Sequence, residues 1–483
     1  MTKLHLSKTA IILIIISILG FIFYSFNLTS WKFIFVGDEW PFYTFAKNIA
    51  DLNFKINPFS MNGVFDEHRV MGSLLQAVVI KLFPNTPVVG WRLSNTLLVF
   101  PLIFFMYFWT KSLFNKNISL YSSIFLSSSF VLANFSKIGY LNSTALALFV
   151  VCLFFATKAG QFQHLKDYIY LAISLAVSFY IYIGPLFPLI IFPCLFINYY
   201  STKKIILIRN FIILIILYFA IIAIGPLTSH TNLLALSNKT IHREFSSNIQ
   251  ILINIWHNFF SFYHDYDYFS NHFVTGPSLD LISRFFCLIG TIVALVKIKD
   301  INYRLLLSLY FMTCFVIGLT SPYPYSPITR GIFFLPFGFT FAAIGLDKII
   351  NPKRKIFLGF IIVAIFSLNF YISQYWVFSK TGYSKTALIL HELMLWPDNS
   401  KPLYLVTSAD TYNYVNIDYI QDALKIPSYK LSINLREGIN CQLKSKFHTI
   451  AFASDVLALD KIAFSGCYQT NDPNLTIISD PSY

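Results

Sequence analysis

The chain has 483 residues, of which 56% are hydrophobic and 12% charged, and a formal net charge of +14. Soluble domains carry about 25% charged residues, which excludes a soluble globular fold for most of this chain. A nucleic-acid partner is excluded by placement, because the cations are scattered at the ends of apolar runs and form no patch.

The first apolar run, 9–26, follows the short basic start MTKLHLSK, and no small-residue cleavage site comes after it. It reads as a retained anchor with a cytoplasmic N-terminus. Further runs lie at 88–110, 118–135, 141–157, 168–184, 186–200, 205–225, 279–296, 304–320, 331–350 and 356–375. Roughly 20 apolar residues cross a bilayer as a helix, so about eleven spans are predicted. The runs are too long and too continuous for the short alternating strands of a barrel.

Charge tests the alternation. With the N-terminus inside, the inside loops read KSLFNK, TKAGQFQHLK, STKKIILIR, KIKDINYR and NPKRK, all basic. The outside segments, 27–87, 136–140, 226–278, 321–330 and 376–483, have no strong basic excess. Lys and Arg mark cytoplasmic loops, so the predicted protein is a multi-pass inner-membrane protein with its C-terminal part outside.

Loop 27–87 contains two helical patterns, WPFYTFAKNIADL and MGSLLQAVVIKLF, amphipathic and too short to span. They are expected along the membrane interface. Loop 226–278 is polar and less regular. From Val377 onward the chain has nine Lys and Arg against ten Asp and Glu. Its short apolar runs PLYLVT, KLSINL, HTIAFA and LTIIS predict a small soluble α/β domain of about four strands over 376–483, following a membrane domain over 1–375. Cys152, Cys194, Cys287 and Cys314 fall in apolar runs and are expected to be inert. Cys441 and Cys467 lie in the tail, where a disulfide is left open.

The strongest local signal is Gly37-Asp38-Glu39-Trp40, two adjacent acids where the chain leaves the first span. A carboxylate at a low-dielectric boundary needs a partner or a task. Asp38 has the chemistry of a general base toward an acceptor hydroxyl, with Glu39 orienting it or holding a cation. Equally, the acids suit the N-terminus of a helix beginning near Pro41. Both readings are open on the residues alone. His257, His264, Asp265, Asp267 and His272 form a His- and Asp-rich stretch whose spacing matches no zinc motif. It reads as a polar acceptor-binding loop.

An acid pair in the first outer loop, interfacial helices and a multispan core resemble the GT-C membrane glycosyltransferases, and within them the protein O-mannosyltransferase and lipid A aminoarabinose transferase superfamily. Further stretches carry the resemblance. Leu75-Gln76-Ala77 through Leu82-Phe83, then Trp91-Arg92-Leu93-Ser94, resembles its first-loop ending and next span. Ser136-Lys137-Ile138-Gly139-Tyr140-Leu141-Asn142 resembles its arginine, apolar, glycine turn. Thr275-Gly276-Pro277-Ser278-Leu279-Asp280 resembles the close of its long outer loop, and Ser326-Pro327-Ile328-Thr329-Arg330-Gly331 the turn before a late span. The similarity runs over residues 30–350.

The resemblance implies a sugar transferred from a polyprenyl phosphate to a glycan, lipid or protein acceptor on the outer face. It implies Asp38 as base with Glu39 in support. Arg330 and Arg92 would contact the donor phosphate, with Lys137, His68, Arg69 and Arg243 as further outer cations. Each alternatively snorkels to lipid headgroups. The cofactor is left open; relatives differ over a divalent cation. Departures are plain: Asp66-Glu67-His68-Arg69-Val70-Met71-Gly72 lacks the prolines of the relatives' Lys- or His-Pro-Pro-Leu stretch, Lys137 stands where Arg is common, and Asn142 where some have Asp. Competing readings are a lipid-linked-sugar flippase, which predicts charges at mid-span, and an O-antigen ligase or polymerase using loop 226–278. The first-loop acid pair favours the transferase.

Overall fold

The computed structural model describes residues 7–33, 39–64, 69–200, 204–229, 248–263, 265–266, 276–321, 328–350, 355–381, 403–406, 448–452 and 475–479. It is mostly helical. Each of the eleven long apolar runs before the tail is helical where described, and among the described residues seven helices or helix pairs are long and apolar enough to cross a membrane: Lys8–Ser25, Pro87–Leu113, Asn142–Phe162, Ile205–Thr228, Ile301–Thr320, Ile328–Ile349 and Ile356–Lys380. Val70–Leu82, Gly184–Tyr199 and Leu281–Val296 are apolar but shorter.

Local chemistry sets many helix starts. α1 (Lys8–Ser25) begins where the Ser7 hydroxyl accepts from the Ala10 N–H. Two short helices follow, α2 (Glu39–Asp51) and α3 (Val70–Leu82), at the positions of the two amphipathic patterns. Neither is long enough to span. α2 buries Phe42, Tyr43, Ala46, Ile49 and Ala50 against the bundle. Next come α4 (Pro87–Leu97), α5 (Val99–Leu113), α6 (Lys116–Ser127), α7 (Phe130–Phe135), α8 (Asn142–Phe162) and α9 (Leu165–Phe179). The chain continues with α10 (Phe187–Tyr199), α11 (Lys204–Ile222), α12 (Ile224–Ser229) and α13 (Asn248–Phe259). Then follow α14 (Leu281–Val296), capped by Asp280, and α15 (Ile301–Thr320), capped by Asp300. The last are α16 (Ile328–Gly331), α17 (Leu335–Ile349) and α18 (Lys355–Tyr371), which runs through a π-helical turn, Ile372–Trp376, into α19 (Val377–Thr381).

α14 and α17 pack most closely. A Cβ on Gly290 would strike the Phe341 carbonyl, and one on Gly345 the Phe286 carbonyl. Small residues let backbones approach where lipid supplies no hydrophobic drive between helices.

The described parts of the basic segments predicted inside, and the helix ends next to them, gather at one end of the bundle. Asn115 donates to Asp347 (3.1 Å), Gln161 to Ser112 O (2.9 Å) and Asn302 (3.1 Å), Asn198 to Ser308 (2.9 Å), and Asn210 to Gln163 O (2.9 Å). The candidate site lies at the other end. In the tail, Leu403–Val406 pairs parallel with His448–Phe452, which pairs antiparallel with Leu475–Ser479. These three strands fall on predicted ones; KLSINL lies outside the described residues, as do Cys441 and Cys467. The other four cysteines are buried and free.

Candidate functional site

The turn between α7 and α8, residues 136–141, organises its end of the bundle. Three of its carbonyls are held from two helices. Asn95 of α4 donates to Ile138 O (2.8 Å) and Tyr140 O (3.0 Å), and Gln76 of α3 donates to Gly139 O (2.7 Å). Buried carbonyls must be paired, and these polar side chains sit on otherwise apolar helices to pair them. Trp91 lies flat against Gly139, where any Cβ would collide with its ring. The glycine of this turn is therefore required by close approach. Asn142, fully packed at the start of α8, donates to Thr329 O (2.7 Å) beside Arg330. An Asp there could not donate when ionised, which accounts for Asn at this position.

α2 docks on the same turn, Phe42 against Tyr140 and Tyr43 against Trp91, each at 5.3 Å between ring centroids. Its first residue is Glu39. Glu39 therefore opens the helix that docks on the turn; Asp38 lies outside the described residues, as do His68 and Arg243.

The remaining predicted cations are all buried, so none snorkels to headgroups. Arg92 is 2% exposed and donates to Leu28 O (3.1 Å) and Phe33 O (2.8 Å) in the strap after α1. Arg69, at the start of α3, donates to Phe179 O, the last residue of α9, and its guanidinium lies 4.4 Å from the Phe179 ring. Arg330 donates to Thr320 O, the last residue of α15. The shared pattern was not foreseen: each arginine satisfies carbonyls at or just beyond a helix C-terminus, where backbone acceptors are orphaned and positive charge is favoured. A guanidinium has five N–H donors. Arg69 Nε has no hydrogen-bond partner among the described residues.

Lys137 differs. Its ammonium is fully buried, 3.9 Å from the Phe33 ring, and Nζ has no hydrogen-bond partner among the described residues. Lys137 and Arg92 thus converge on Phe33, five residues before Asp38. Burial first, and the Arg92 charge second, lower Lys137 to about 7. Because Arg92 anchors the strap, Arg92→Lys, which cannot span both carbonyls, is expected to cost about 1–3 kcal/mol. Thermal unfolding of the purified protein checks this; an unchanged midpoint would count against the anchoring role.

An apolar groove of about 820 Å³ runs between α9, α10 and α11, lined by Phe179, Pro188, Phe192, Tyr218 and Phe219 among others. Next to the lining residue Phe179, the Tyr180 hydroxyl donates to Ile222 O (2.9 Å) and accepts from Gly225 N (2.8 Å). Arg69 packs on Phe179 behind the groove wall and is not itself part of the lining. Its guanidinium is lowered by burial to about 10 and remains charged at neutral pH.

Among the described residues no group of three or more His, Cys, Asp or Glu could hold a metal. His264, Asp267 and His272 lie outside them, and Asp265 pairs with Pro277 in a two-residue strand contact. Gln76 and Trp91 were inside motifs quoted from the sequence and Asn95 lies one residue past one, but none had an assigned role; an amide at a helical position within an apolar run was the available signal.

A helical bundle with two short helices and buried cations gathered at one end is the architecture of a polytopic membrane protein of GT-C fold. The chain matches the family model "Dolichyl-phosphate-mannose-protein mannosyltransferase" over residues 67–230, a range that holds His68, Arg69, Arg92 and Lys137. Similar in structure is ArnT from Cupriavidus metallidurans bound to undecaprenyl phosphate (TM-score 0.58, 10% identity, 98% of each chain). Also similar is the oligosaccharyltransferase AglB from Archaeoglobus fulgidus, in complex with an inhibitory peptide and a dolichol-phosphate (TM-score 0.54, 12% identity, 92% of this chain and 69% of that one). No curated protein sequence matches this chain. The resemblance read from the motifs is thus matched by both a family model and the fold.

Proposed function

We propose that the protein transfers a sugar from a polyprenyl-phosphate donor to an acceptor on the extracytoplasmic face of the inner membrane. The observation that carries this reading is the apolar groove with the Arg69 guanidinium packed on its lining residue Phe179. A prenyl phosphate is apolar along its length and anionic at one end, and a groove with a neighbouring cation is suited to both parts. The bound dolichol-phosphate of the archaeal neighbour and undecaprenyl phosphate of ArnT support the donor class.

In this reading the acceptor oxygen attacks the anomeric carbon as Asp38 takes its proton. The bond from carbon to phosphate oxygen breaks, and polyprenyl phosphate leaves with the electron pair, inverting the anomeric centre. Glu39 supports Asp38. Arg69 and Arg330 use the N–H groups left over from their carbonyls to stabilise the leaving phosphate. Arg92 positions the strap instead of touching phosphate. The C-terminal residues 376–483 form an extracytoplasmic domain.

Arg69→Ala should raise the apparent KM for donor about tenfold or more, since a charged hydrogen bond is worth about 1.5–3 kcal/mol. Arg69→Lys should recover only part, lacking the planar fork. Transfer from radiolabelled polyprenyl-phosphate sugar in membranes reads the effect; donor dependence unchanged in both variants would overturn the phosphate role.

A further inference from the structure

A second, smaller pocket, about 240 Å³, lies between the start of α14 and the last long helix, with Phe130, Leu368, Tyr371, Ile372, Trp376 and Arg284 among its walls. The π-helical turn shapes it. The extra residue per turn brings Ser373 and Gln374 inward, where Ser373 donates to Asn134 (2.5 Å) and Gln374 accepts from Asn27 (2.9 Å), while Ile372 and Trp376 line the pocket. Such single π turns recur at functional sites.

Its one carboxylate and one guanidinium balance in charge but not in hydrogen bonding. Asp280 borders the pocket, but its oxygens are committed: Oδ1 accepts from Ile282 N and Ser283 N (both 3.0 Å), and Oδ2 accepts from Ser283 Oγ and from Asn369 Nδ2 (2.8 Å). Arg284, one turn into α14, has a buried Nε with no hydrogen-bond partner among the described residues. The pocket therefore offers a guanidinium beside a carboxylate that is already satisfied. Whole small-molecule sites run to about 300–1,000 Å³, so this one holds part of a larger molecule. Leu281 and Tyr371 on its rim are 71% and 55% exposed; the remainder of that molecule lies against an apolar outer surface, in the bilayer.

We infer that this pocket is a binding site for an anionic phospholipid of net charge −1, with no headgroup cation, its phosphodiester on Arg284 and part of one acyl chain along Leu368, Tyr371 and Ile372. A single guanidinium matches a single negative charge, and the neighbouring Asp280 disfavours a phosphomonoester dianion. Aromatic residues at this level suit the membrane–water boundary. The inference does not rest on the transferase reading.

The test is lipid retention by the purified full chain in detergent, counted by native mass spectrometry with phosphatidylglycerol or phosphatidylcholine of matched chains. Wild type should retain one phosphatidylglycerol at roughly a tenth of the phosphatidylcholine concentration, and Arg284→Met should remove that preference. Leu368→Trp, which fills the chain-binding part, should weaken retention of phosphatidylglycerol while Arg284 remains. If Leu368→Trp does not fold, Arg284→Met decides alone, since it keeps the apolar stem. Equal retention of both lipids by wild type would overturn the site, as would an unchanged preference in Arg284→Met. Displacement by glycerophosphoglycerol, the same phosphodiester without acyl chains, as readily as by intact lipid would overturn the acyl-chain contact, and displacement by polyprenyl phosphate at equal concentration would assign the pocket to the donor instead.

Discussion

Asp38→Asn is expected to lower sugar transfer about 10²–10⁴-fold while leaving protein level and membrane insertion unchanged. An acceptor hydroxyl is a poor nucleophile unless its proton leaves as the new bond forms. Asn matches Asp in size and caps a helix about equally well, so the substitution separates the two readings of the acid pair. A cap would tolerate it; a base would not. Glu39, the first residue of α2, should show a smaller loss on change to Gln if it only supports its neighbour, and a comparable loss if it holds a required cation. The measurement is transfer from a radiolabelled donor in membranes, normalised to protein. An Asp38→Asn protein with near wild-type turnover would return the pair to a capping role.

Lys137→Met is expected to move stability and activity in opposite directions. The Lys137 ammonium is buried against the Phe33 ring with no hydrogen-bond partner among the described residues, and it lies in the turn between α7 and α8, outside the spanning helices. Folding lowers its pKa from 10.5 to about 7. Between those values the unfolded chain binds a proton that the folded chain does not, so stability rises with pH across that window and the cost of burial is complete below about pH 7. Replacing a buried charge by an apolar side chain of similar volume is worth on the order of 1–4 kcal/mol. Lys137→Met should therefore raise the unfolding midpoint at pH 7 and remove its increase toward pH 9.5. Transfer should fall, because a buried cation beside the strap that leads to Asp38 is kept for its charge. A midpoint that drops on Lys137→Met would show instead that Lys137 is ion-paired, and would overturn this account.

Hydropathy and charge alternate along the chain itself, and they were enough to place the helices. Each apolar run is a helix because a span must satisfy its own backbone. The described parts of the basic loops meet at one end, in keeping with that alternation. The two 13-residue helices of the first loop also followed from local periodicity, and three of the tail strands from short apolar runs. The count of about eleven spans was drawn by treating every run alike. In the structure α14 and the helix pair starting at Gly184 are shorter than a full crossing, while α6 and α7 are separated by Ser128 and Ser129.

The site divides the same way. Motif resemblance singled out Arg69, Arg92, Lys137 and Arg330 as residue types suited to a phosphate, because sequence reports a cation and its place along a span. It does not report which carbonyl lies opposite. Only the fold put Phe179, Leu28, Phe33 and Thr320 carbonyls within reach, turned three arginines into helix-end clamps and left Lys137 without one. The same holds for Trp91 on Gly139, and for Asn95 and Gln76 on the turn carbonyls. Those partners are separated in sequence by more than 40 residues in each case. The sequence by itself determined which segments are apolar helices, since hydropathy is a property of each segment alone. The tertiary structure decided what each buried polar group is paired with, since that depends on neighbours brought together from distant parts of the chain.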